Sequence, residues 1–368
     1  MPAPQDDPTL ATPTDAALHG QARPVWDVFC QVIDNYGDVG VCWRLASQLA
    51  ATGLQIRLWI DDASALQWLA PDGTRDVTVH AWADADRVDA PGEVVIEAFG
   101  CDLPAAFVTQ MASAPTQPVW INLEYLSAES YVERSHRLRS PQANGLDKWF
   151  FYPGFTASTG GLLRETDLLQ RQTGFDGRDW LQRRGWAGRP GERVVSLFCY
   201  DNPALPALLQ SVSEQQDTLV LTPPGPPTRQ CEALRLPGSV RQIALPWLSQ
   251  HDYDHLLWSC DLNIVRGEDS FVRAQWAARP FLWQIYPQHD GVHADKLNAF
   301  LDRHLQAAPE KLASGVRLAM QGWNGIQATP WTIPALADWQ VHTRHWRGTL
   351  LAQAPLAQQL LDFVREKR

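Results

Sequence analysis

The strongest constraint on the fold of this chain is a pattern of short apolar runs that alternate with helical segments, and the pattern occurs twice. The first set begins with VWDVFCQVI at residues 25–33, and the second begins with RVVSLFCY at residues 193–200. These runs are continuously apolar, which is typical of strands that are covered on both faces of a parallel sheet. Strands that alternate with helices predict βαβ units. The sequence therefore predicts an α/β protein with two Rossmann-like domains that face a central cleft.

The first set continues with a helix that stops at Gly53, followed by a strand at 54–60. Two more short strands precede a strand at 119–126. Residues 127–185 have no clear period and are rich in glycine, proline and polar residues. The polar stretch RQTGFDGRDWLQRRGWAGRPGE at 171–192 predicts an interdomain linker, or a surface helix with flanking loops.

The second set alternates strands and helices up to about residue 310, after which the pattern is helical. Ser249 is a favourable N-cap for the helix that follows it. The strand of DLNIVRGEDS runs into a turn at residues 266–270, and the next helix stops at Pro280. The predicted divisions are a disordered tail at 1–23, an N-terminal domain at 24–185 to which a final helix at 346–368 returns, and a C-terminal domain at 186–345.

Composition and charge narrow the classes of function. The chain has 368 residues and a net charge of −10, which disfavours a protein that binds nucleic acid by neutralising phosphates. An acidic surface suits a basic protein partner, but it is also common for solubility alone. The six cysteines show no CxxC spacing, which favours the reducing cytoplasm. We find no pattern of a signal peptide or of a membrane span, so we expect a cytoplasmic protein without a membrane partner.

The stretch DNYGDVG at residues 34–40 lies between the first strand and the first helix, where α/β proteins often bind phosphate. It contains only part of the GxGxxG fingerprint, and its aspartates, Asp34 and Asp38, would repel a pyrophosphate. One interpretation is structural: Asp38 is the N-cap of the helix and Asp34 ends the strand. The other is functional: both carboxylates point into the cleft, where a carboxylate can act as a general base. The residues alone leave both interpretations open.

A second acidic turn falls between a strand and a helix of the second set. Its Gly267 allows a close approach of the backbone, and Ser270 or Asp269 can cap the helix, whose free N–H groups form an anion site. Arg266 adds a fixed charge for a phosphate. Glu268 and Asp269 are too acidic for a bare phosphate pocket and better suit sugar hydroxyls or a cationic acceptor. The alternative is a solvated acidic turn that only caps the helix.

Other side chains of the second set are weak candidates when taken singly. Tyr200, at the end of a strand, is placed to stack on a base or a sugar, and Gln250 and Tyr253 lie near the start of a helix. His251 and His255 have the i, i+4 spacing that puts two imidazoles on one helix face, but no HExxH pattern or cysteine accompanies them. We therefore expect no metal site.

Three stretches together resemble a known family. They are DNYGDVGVCWRLASQLA from residue 34, LFCYDN from residue 197 and RGEDSFVRAQWAARPFLWQIYPQ at 266–288. In these motifs the chain resembles the protein-arginine rhamnosyltransferases that modify bacterial elongation factor P (the EarP family). The resemblance implies the GT-B fold and the donor TDP-β-L-rhamnose. It further implies an inverting transfer to one arginine of the factor, without metal or cofactor, which activates the factor for ribosomes stalled at polyproline.

The resemblance also implies roles for particular residues. Asp38 would be the base, Asp34 a neighbour that is important to activity, and Glu268 a second essential acid. Such acids suit the acceptor, because a guanidinium has a pKa above about 12 and must be held, oriented and relieved of a proton. The other residues that we assign to substrate binding are Asn35, Tyr36 and Gly37 in the first turn, Arg266, Gly267, Asp269 and Ser270 around the diphosphate and sugar, and Tyr200, Gln250 and Tyr253 around the thymine nucleotide.

Alternative functions remain open at the level of sequence. One is another nucleotide-sugar enzyme of the same fold, either an epimerase or a different transferase. Another is a non-catalytic module that binds a nucleotide sugar and docks on a translation factor. A Rossmann oxidoreductase is disfavoured because the GxGxxG fingerprint is missing.

Overall fold

Two sheets with apolar clusters on both faces form the framework of the protein. The structure is a computed structural model that describes residues 23–34, 36–214, 216–287 and 291–368. Apart from Arg23, the predicted tail at 1–23 lies outside the described residues. The strands are β1 (Val25–Cys30), β2 (Gln55–Ile60), β3 (Val77–Ala81), β4 (Val94–Ala98), β5 (Val119–Leu123), β6 (Arg139–Pro141), β7 (Asp147–Phe151), β8 (Arg193–Leu197), β9 (Thr218–Thr222), β10 (Val240–Ala244), β11 (Leu262–Arg266) and β12 (Phe281–Gln284).

Helices connect the strands and cover both sheets, and a short 3₁₀ helix spans Trp82–Arg87. Ser249 is the N-cap predicted from the sequence, since its hydroxyl accepts a hydrogen bond from the Asp252 N–H at 3.1 Å. Among the described residues, no helix combines the length and the apolar composition of a membrane span. The α-helices are α1 (Gly37–Ala50), α2 (Leu66–Leu69), α3 (Ala105–Ser113), α4 (Ser130–Ser135), α5 (Leu168–Thr173), α6 (Gly177–Arg183), α7 (Leu205–Ser213), α8 (Pro226–Ala233), α9 (Gln250–Ser259), α10 (Asp269–Ala277), α11 (Val292–His304), α12 (Glu310–Trp323), α13 (Leu336–Leu351) and α14 (Leu356–Lys367).

The two sheets share one topology. Their strand orders are β3-β2-β1-β4-β5-β7-β6 and β10-β9-β8-β11-β12, and every pair is parallel except β6 with β7. In each sheet the chain proceeds outward from its first strand and then crosses to the other side of that strand. The order therefore reverses between β1 and β4, and again between β8 and β11. Open α/β sheets bind ligands beyond the carboxyl ends of the strands at such reversal points.

The continuous apolar strands are explained by helices on both faces of each sheet. In β1, Val28 packs in the cluster that contains α1 and α14, while its neighbour Phe29 packs in the cluster that contains α3. Both side chains are fully buried. Because successive side chains of a strand point to opposite faces, only a run without alternation can fill both layers. The predicted α/β fold with two parallel sheets is confirmed.

The predicted strands extend too far at their carboxyl ends. β1 ends at Cys30 instead of 33, β5 at Leu123 instead of 126, and β8 at Leu197 instead of 200. The chain beyond each end is mostly apolar or aromatic, so hydrophobicity alone gives no clear sign of the strand terminus. The extra residues after β1 and β8 form loops at the two reversal points, and those after β5 lie one strand further along the first sheet.

The segment 127–185 has no regular pattern in the sequence, but it contains α4, β6, β7, α5 and α6. β7 extends the first sheet next to β5, and β6 pairs with it in antiparallel orientation at the edge. β7 was not predicted, because the half-buried strand DKWFF has neither a continuous nor an alternating apolar pattern. In the polar stretch at 171–192 the predicted helix with flanking loops is confirmed as α6, which packs Trp180 and Leu181 into the core of the second sheet.

The prediction of one final helix over 346–368 is also wrong. The chain breaks between α13 and α14 at Pro355, whose ring cannot continue a helix from the residues before it. Trp346 of α13 belongs to the core of the second sheet, whereas Leu360 and Phe363 of α14 lie in the core of the first. Burial of each such side chain stabilises the fold by roughly 2 kcal/mol. The limits of the two domains stay a prediction.

Candidate active site

The turn that follows β1 is held together by one of its own aspartates. Because α1 begins at Gly37 and its N-cap position is Tyr36, Asp38 lies inside the first turn of the helix. Oδ2 of Asp38 accepts hydrogen bonds from the backbone N–H groups of Ile33 and Asp34, at 2.8 and 2.9 Å. The N-cap interpretation of Asp38 is therefore wrong. Its carboxylate closes the loop before the helix and makes no capping bond within it.

The second oxygen of Asp38 contacts Tyr125, which was not among the residues predicted from the sequence. Tyr125, two residues beyond β5, donates its hydroxyl to Oδ1 of Asp38 at 3.4 Å. Asp38 is only 2% exposed, and this burial raises its pKa above the ordinary value, against the opposing effect of the backbone hydrogen bonds. A carboxylate with a raised pKa is a better proton acceptor than one in water. The available sequence signal for Tyr125 was its place just after a parallel strand.

Asp34 joins the two reversal points directly. The hydroxyl of Tyr200, which follows β8, donates to Oδ2 of Asp34 at 2.6 Å. Burial and the charge of Asp34 raise the pKa of Tyr200, so the hydroxyl stays protonated and donates. Gly267 packs against the same carboxylate of Asp34. Its φ is 60°, and a Cβ there would lie 2.7 Å from Oδ2 of Asp34. Only glycine fits this position, which explains the close backbone approach that the sequence predicts.

Glu268, in the turn after β11, reaches back to the first domain. Its Oε2 accepts a hydrogen bond from the Leu126 N–H at 2.9 Å. Burial raises the pKa of Glu268 to about 7, while the positive charge of Lys296 opposes the shift and the charges of Asp38 and Asp269 add to it. Near neutral pH this side chain can therefore act as either a hydrogen-bond donor or an acceptor.

Arg266 is a buried cation without a counter-ion among the described residues. It is 6% exposed, and its guanidinium lies 4.5 Å from the ring centroid of Phe198, 4.4 Å from that of Tyr200 and 5.9 Å from that of Tyr36. In the part of the chain that the structure describes, no carboxylate comes within 4.0 Å of it. Aromatic faces attract a cation but do not neutralise it. A buried charge of this kind favours an anionic ligand in the cleft.

Ser270 does not cap α10, and neither does Asp269. The helix begins at Asp269 with Glu268 in the N-cap position, and the Glu268 side chain makes no capping hydrogen bond. The Ser270 hydroxyl instead accepts from the N–H of Arg266 and donates to the carbonyl of the same residue. The predicted capping role is therefore wrong, and the hydroxyl shapes the turn that carries the arginine. The N–H groups of the first helical turn add positive potential at this end of the cleft.

Gln250 and Asp269 are occupied by contacts with the first domain. The amide of Gln250 donates to the carbonyl of Gly40 at 2.9 Å. A Cβ at Gly40 would lie 3.1 Å from Oδ2 of Asp269, so α1 and α10 approach closely there. Asp269 also pairs with Arg44, with 2.9 Å between Oδ1 and Nε. The third predicted residue of this group, Tyr253, lines the cleft.

Arg44 belongs to a buried charge cluster that sequence reasoning did not find. Asp254 of α9 lies 3.1 Å from Arg44 of α1 and 2.7 Å from Arg273 of α10. Glu165, which precedes α5, lies 3.3 Å from Arg44 and 2.8 Å from Arg273. With Asp269 the cluster combines two arginines and three acids, and it ties together helices of both domains. Its residues are far apart in sequence, so no local pattern predicts it.

The cleft between the two turns is open to solvent. At one end the rings of Trp68 and Trp247 stack at 4.4 Å across the domain boundary, and Tyr36 contacts both rings edge-on. The predicted residues that line this cleft are Asp34, Tyr36, Gly37, Gln250, Tyr253, Arg266, Asp269 and Ser270.

The remaining predicted residues lie beside the cleft. Asp38 and Tyr200 are hydrogen-bonded to Asp34, through its N–H and its carboxylate respectively, and Gly267 packs against the same carboxylate. Glu268 lines a smaller adjoining pocket with mostly apolar walls. Asn35 lies outside the described residues.

The two histidines that we considered as metal ligands have other contacts. Nδ1 of His251 lies 3.0 Å from a guanidinium nitrogen of Arg171, and the ring of His255 stacks on Phe175 with 4.5 Å between centroids. Within residues 23–34, 36–214, 216–287 and 291–368, no three side chains of histidine, cysteine, aspartate or glutamate form a group that could hold a metal ion.

Solved structures place this architecture among the glycosyltransferases. The spinosyn rhamnosyltransferase SpnG complexed with thymidine diphosphate has a TM-score of 0.53 at 12% identity, over 92% of this chain and 99% of that chain. At this identity the similarity shows the fold alone. Two Rossmann-like sheets whose reversal points face one cleft define the GT-B fold, as the sequence predicts.

Comparison with known families makes the assignment more specific. The family model described as "Elongation-Factor P (EF-P) rhamnosyltransferase EarP" matches residues 26–365. The protein-arginine rhamnosyltransferase of Pseudomonas putida is 43% identical over 374 residues, which cover 93% of this chain and 99% of the relative. A solved structure that concerns EarP-mediated arginine glycosylation of translation elongation factor EF-P has a TM-score of 0.67 at 34% identity, over 94% of this chain and 100% of that chain. The chain belongs to the EarP family, and the predicted resemblance is confirmed.

Proposed function

We propose that this protein transfers L-rhamnose from TDP-β-L-rhamnose to an arginine side chain of translation elongation factor P, with inversion and without a metal. One observation carries the proposal: Asp34, at the reversal point of the first sheet, lines the same cleft as Arg266, which lies at the reversal point of the second sheet, and Asp38 lies beside that cleft. Arg266 is buried and has no counter-ion among the described residues. The names of the relatives support rhamnose as the sugar and the arginine of elongation factor P as the acceptor. The reaction then takes place in the cytoplasm and activates the factor for ribosomes stalled at polyproline.

The second domain is suited to the donor. Arg266 and the N-terminus of α10 supply positive charge for a diphosphate, and that charge is already in place before the reaction begins. When the bond between the anomeric carbon and the diphosphate oxygen breaks, both electrons leave with the diphosphate. The fixed positive charges stabilise the departing group, so the residues present can meet this requirement without a metal. Gln250 and Tyr253 border the same cleft, where we place the thymine nucleotide.

The first domain is suited to the acceptor. A guanidinium is cationic and its lone pairs are delocalised, so it needs negative groups to hold and orient it. In the proposed step one guanidinium nitrogen forms the bond to the anomeric carbon while Asp38 takes the nitrogen's proton. A single displacement inverts the anomeric centre and needs one base and no covalent nucleophile. Glu268, beside the sugar, can bind a hydroxyl group and stabilise positive charge on the ring.

The change Asp38→Asn tests the base. Because asparagine keeps the shape and an oxygen for the N–H groups of Ile33 and Asp34, we expect intact folding and intact binding of TDP-rhamnose. Transfer should fall by about 100-fold or more, the usual loss for a general base. The assay mixes enzyme, TDP-rhamnose and elongation factor P, and mass spectrometry follows the deoxyhexose on the factor.

Asp61→Asn provides a matched control. Asp61 ends the neighbouring strand and also accepts a backbone N–H bond, from Val32 at 2.9 Å, but it makes no contact with Tyr125. We expect near-normal transfer from this variant. Undiminished turnover by Asp38→Asn would exclude Asp38 as the base. A lack of any mass gain with the unmodified enzyme would reject the transferase and favour a binding module.

A further inference from the structure

We propose that Tyr125 is a positioning residue for the transfer reaction, a role that rests on the function proposed above. Its hydroxyl orients Asp38 so that Oδ1, and not Oδ2, receives the proton of the acceptor. Tyr125 lies outside the two acidic turns and does not line the larger cleft. The assignment depends on the unequal surroundings of the two oxygens of Asp38.

The two oxygens of Asp38 differ in the hydrogen bonds that they accept. Oδ2 takes two short bonds from the backbone, from Ile33 and Asp34. Oδ1 takes a single longer bond, from the Tyr125 hydroxyl at 3.4 Å. A carboxylate oxygen offers about two lone-pair directions, so Oδ2 is filled and Oδ1 retains one. Among the described groups that contact Asp38, the free direction for a proton is therefore on Oδ1.

The ring of Tyr125 is fixed by its neighbour at the reversal point. It stacks on Phe99 with 4.3 Å between centroids and 13° between planes. Phe99 follows β4 with a φ of 61°, a left-handed conformation that costs a non-glycine residue on the order of 1 kcal/mol. The hydrogen bond from the Phe99 N–H to the Leu123 carbonyl ties this loop to the end of β5. Such strain persists only where the surroundings hold the residue in place. Phe99, held in this way, forms a fixed platform under the ring of Tyr125.

The surroundings of the hydroxyl keep it a donor. Burial, followed by the charges of Asp38 and Glu268, raises the pKa of Tyr125, so the hydroxyl does not ionise near neutral pH. A hydrogen bond to the charged form of Asp38 in turn lowers the pKa of that carboxyl. The hydrogen bond from Tyr125 thus limits the rise in the pKa of Asp38 that burial causes, and it keeps this carboxylate ionised over more of the pH range. The titratable groups that surround Asp38 and Tyr125 are Asp34, Cys42, Glu268 and Lys296.

The change Tyr125→Phe tests the role, because it removes the hydroxyl and keeps the ring on Phe99. We expect kcat to fall about tenfold or more, as for the loss of one hydrogen bond to a charged group. The acid limb of the pH profile of kcat/KM should move to higher pH, since the pKa of Asp38 rises without the bond. The KM for TDP-rhamnose should stay within about twofold, because Tyr125 does not line the larger cleft.

Tyr152→Phe is the matched control. Tyr152 is a second partly buried tyrosine of the first domain, packed edge-on against Tyr131 at 5.8 Å and without contact to Asp38. Removal of the Tyr152 hydroxyl should leave the acid limb of the pH profile of kcat/KM unchanged. Urea unfolding and TDP binding by Tyr125→Phe establish that the variant is folded.

Each outcome decides between the proposals. A lower kcat together with a displaced acid limb supports the positioning role. An unchanged kcat, or a lower kcat with the acid limb in place, overturns it while the proposed transferase function stands. If the unmodified enzyme transfers no rhamnose, the transferase function itself fails, and that result is separate from any effect of Tyr125.

Discussion

Replacing Glu268 with glutamine should stabilise the protein above neutral pH even though it impairs the proposed reaction. Burial raises the pKa of Glu268 from an ordinary 4.5 to about 7. Between these values the folded state holds a proton that the unfolded state has released. The stabilisation from this proton is complete below the unfolded pKa and is lost as the pH rises through the folded pKa. With about 1.4 kcal/mol per pKa unit, the ionised group costs the folded state at most about 3 kcal/mol near pH 8.

Glutamine removes this cost without removing the local contact. Its amide oxygen can still accept the hydrogen bond from the Leu126 N–H, and its volume matches that of glutamate. The gain in the free energy of unfolding should therefore be larger at about pH 8 than at about pH 5, by about 2 kcal/mol. Urea titrations of both proteins at the two pH values measure this difference.

Glu232→Gln serves as the control, because Glu232 is an exposed residue on α8. It should change the free energy of unfolding by less than about 0.5 kcal/mol at either pH. Equal gains for Glu268→Gln at both pH values, or a loss at the higher pH, would refute the burial cost. Transfer activity of Glu268→Gln should fall while its free energy of unfolding rises, so the acid at this position favours function at the expense of stability.

Two further changes test the packing around the site. Gly267→Ala places a methyl group 2.7 Å from Oδ2 of Asp34 at a φ of 60°, so we expect a loss of stability on the order of 1 kcal/mol and a clear loss of transfer. Unchanged thermal unfolding and turnover of the Gly267→Ala variant would contradict this expectation. Arg44→Ala leaves Asp254 and Asp269 buried without one of their cations, and should cost about 3 kcal/mol or more in urea unfolding. Arg44→Lys should recover part of that loss, and a neutral effect of both changes would show that the cluster contributes little.

The strands and the donor-side turn could be predicted from the sequence because their signals are local. A buried parallel strand is a run without alternation, and the turn that begins at Arg266 follows such a run directly. β7 was missed because its half-buried residues mix Lys148 with aromatics, so neither strand template fits. The pattern therefore predicts central strands better than edge strands.

The errors at the site have one physical origin. The side chains of Asp38 and Ser270 satisfy backbone groups of the preceding turn instead of the helix that they open. Which of these two sets of N–H groups a short polar side chain reaches depends on the angle at which the strand enters the helix, and single residues do not encode that angle. The role of Tyr125 and the Arg44 cluster depend on contacts between distant segments, which no spacing rule contains.

The position of α14 has a consequence for biosynthesis. The last described helix completes the core of the first sheet, with Leu360 and Phe363 packed beside strands that were synthesised more than 200 residues earlier. A ribosome therefore releases the whole second sheet before the first one can be finished. During translation the apolar face that awaits α14 is uncovered, and contacts of such long sequence separation form slowly. Nascent chains of this protein should accordingly need protection from aggregation until synthesis ends, and premature termination shortly before Leu356 should leave the first domain incomplete while the second retains its core.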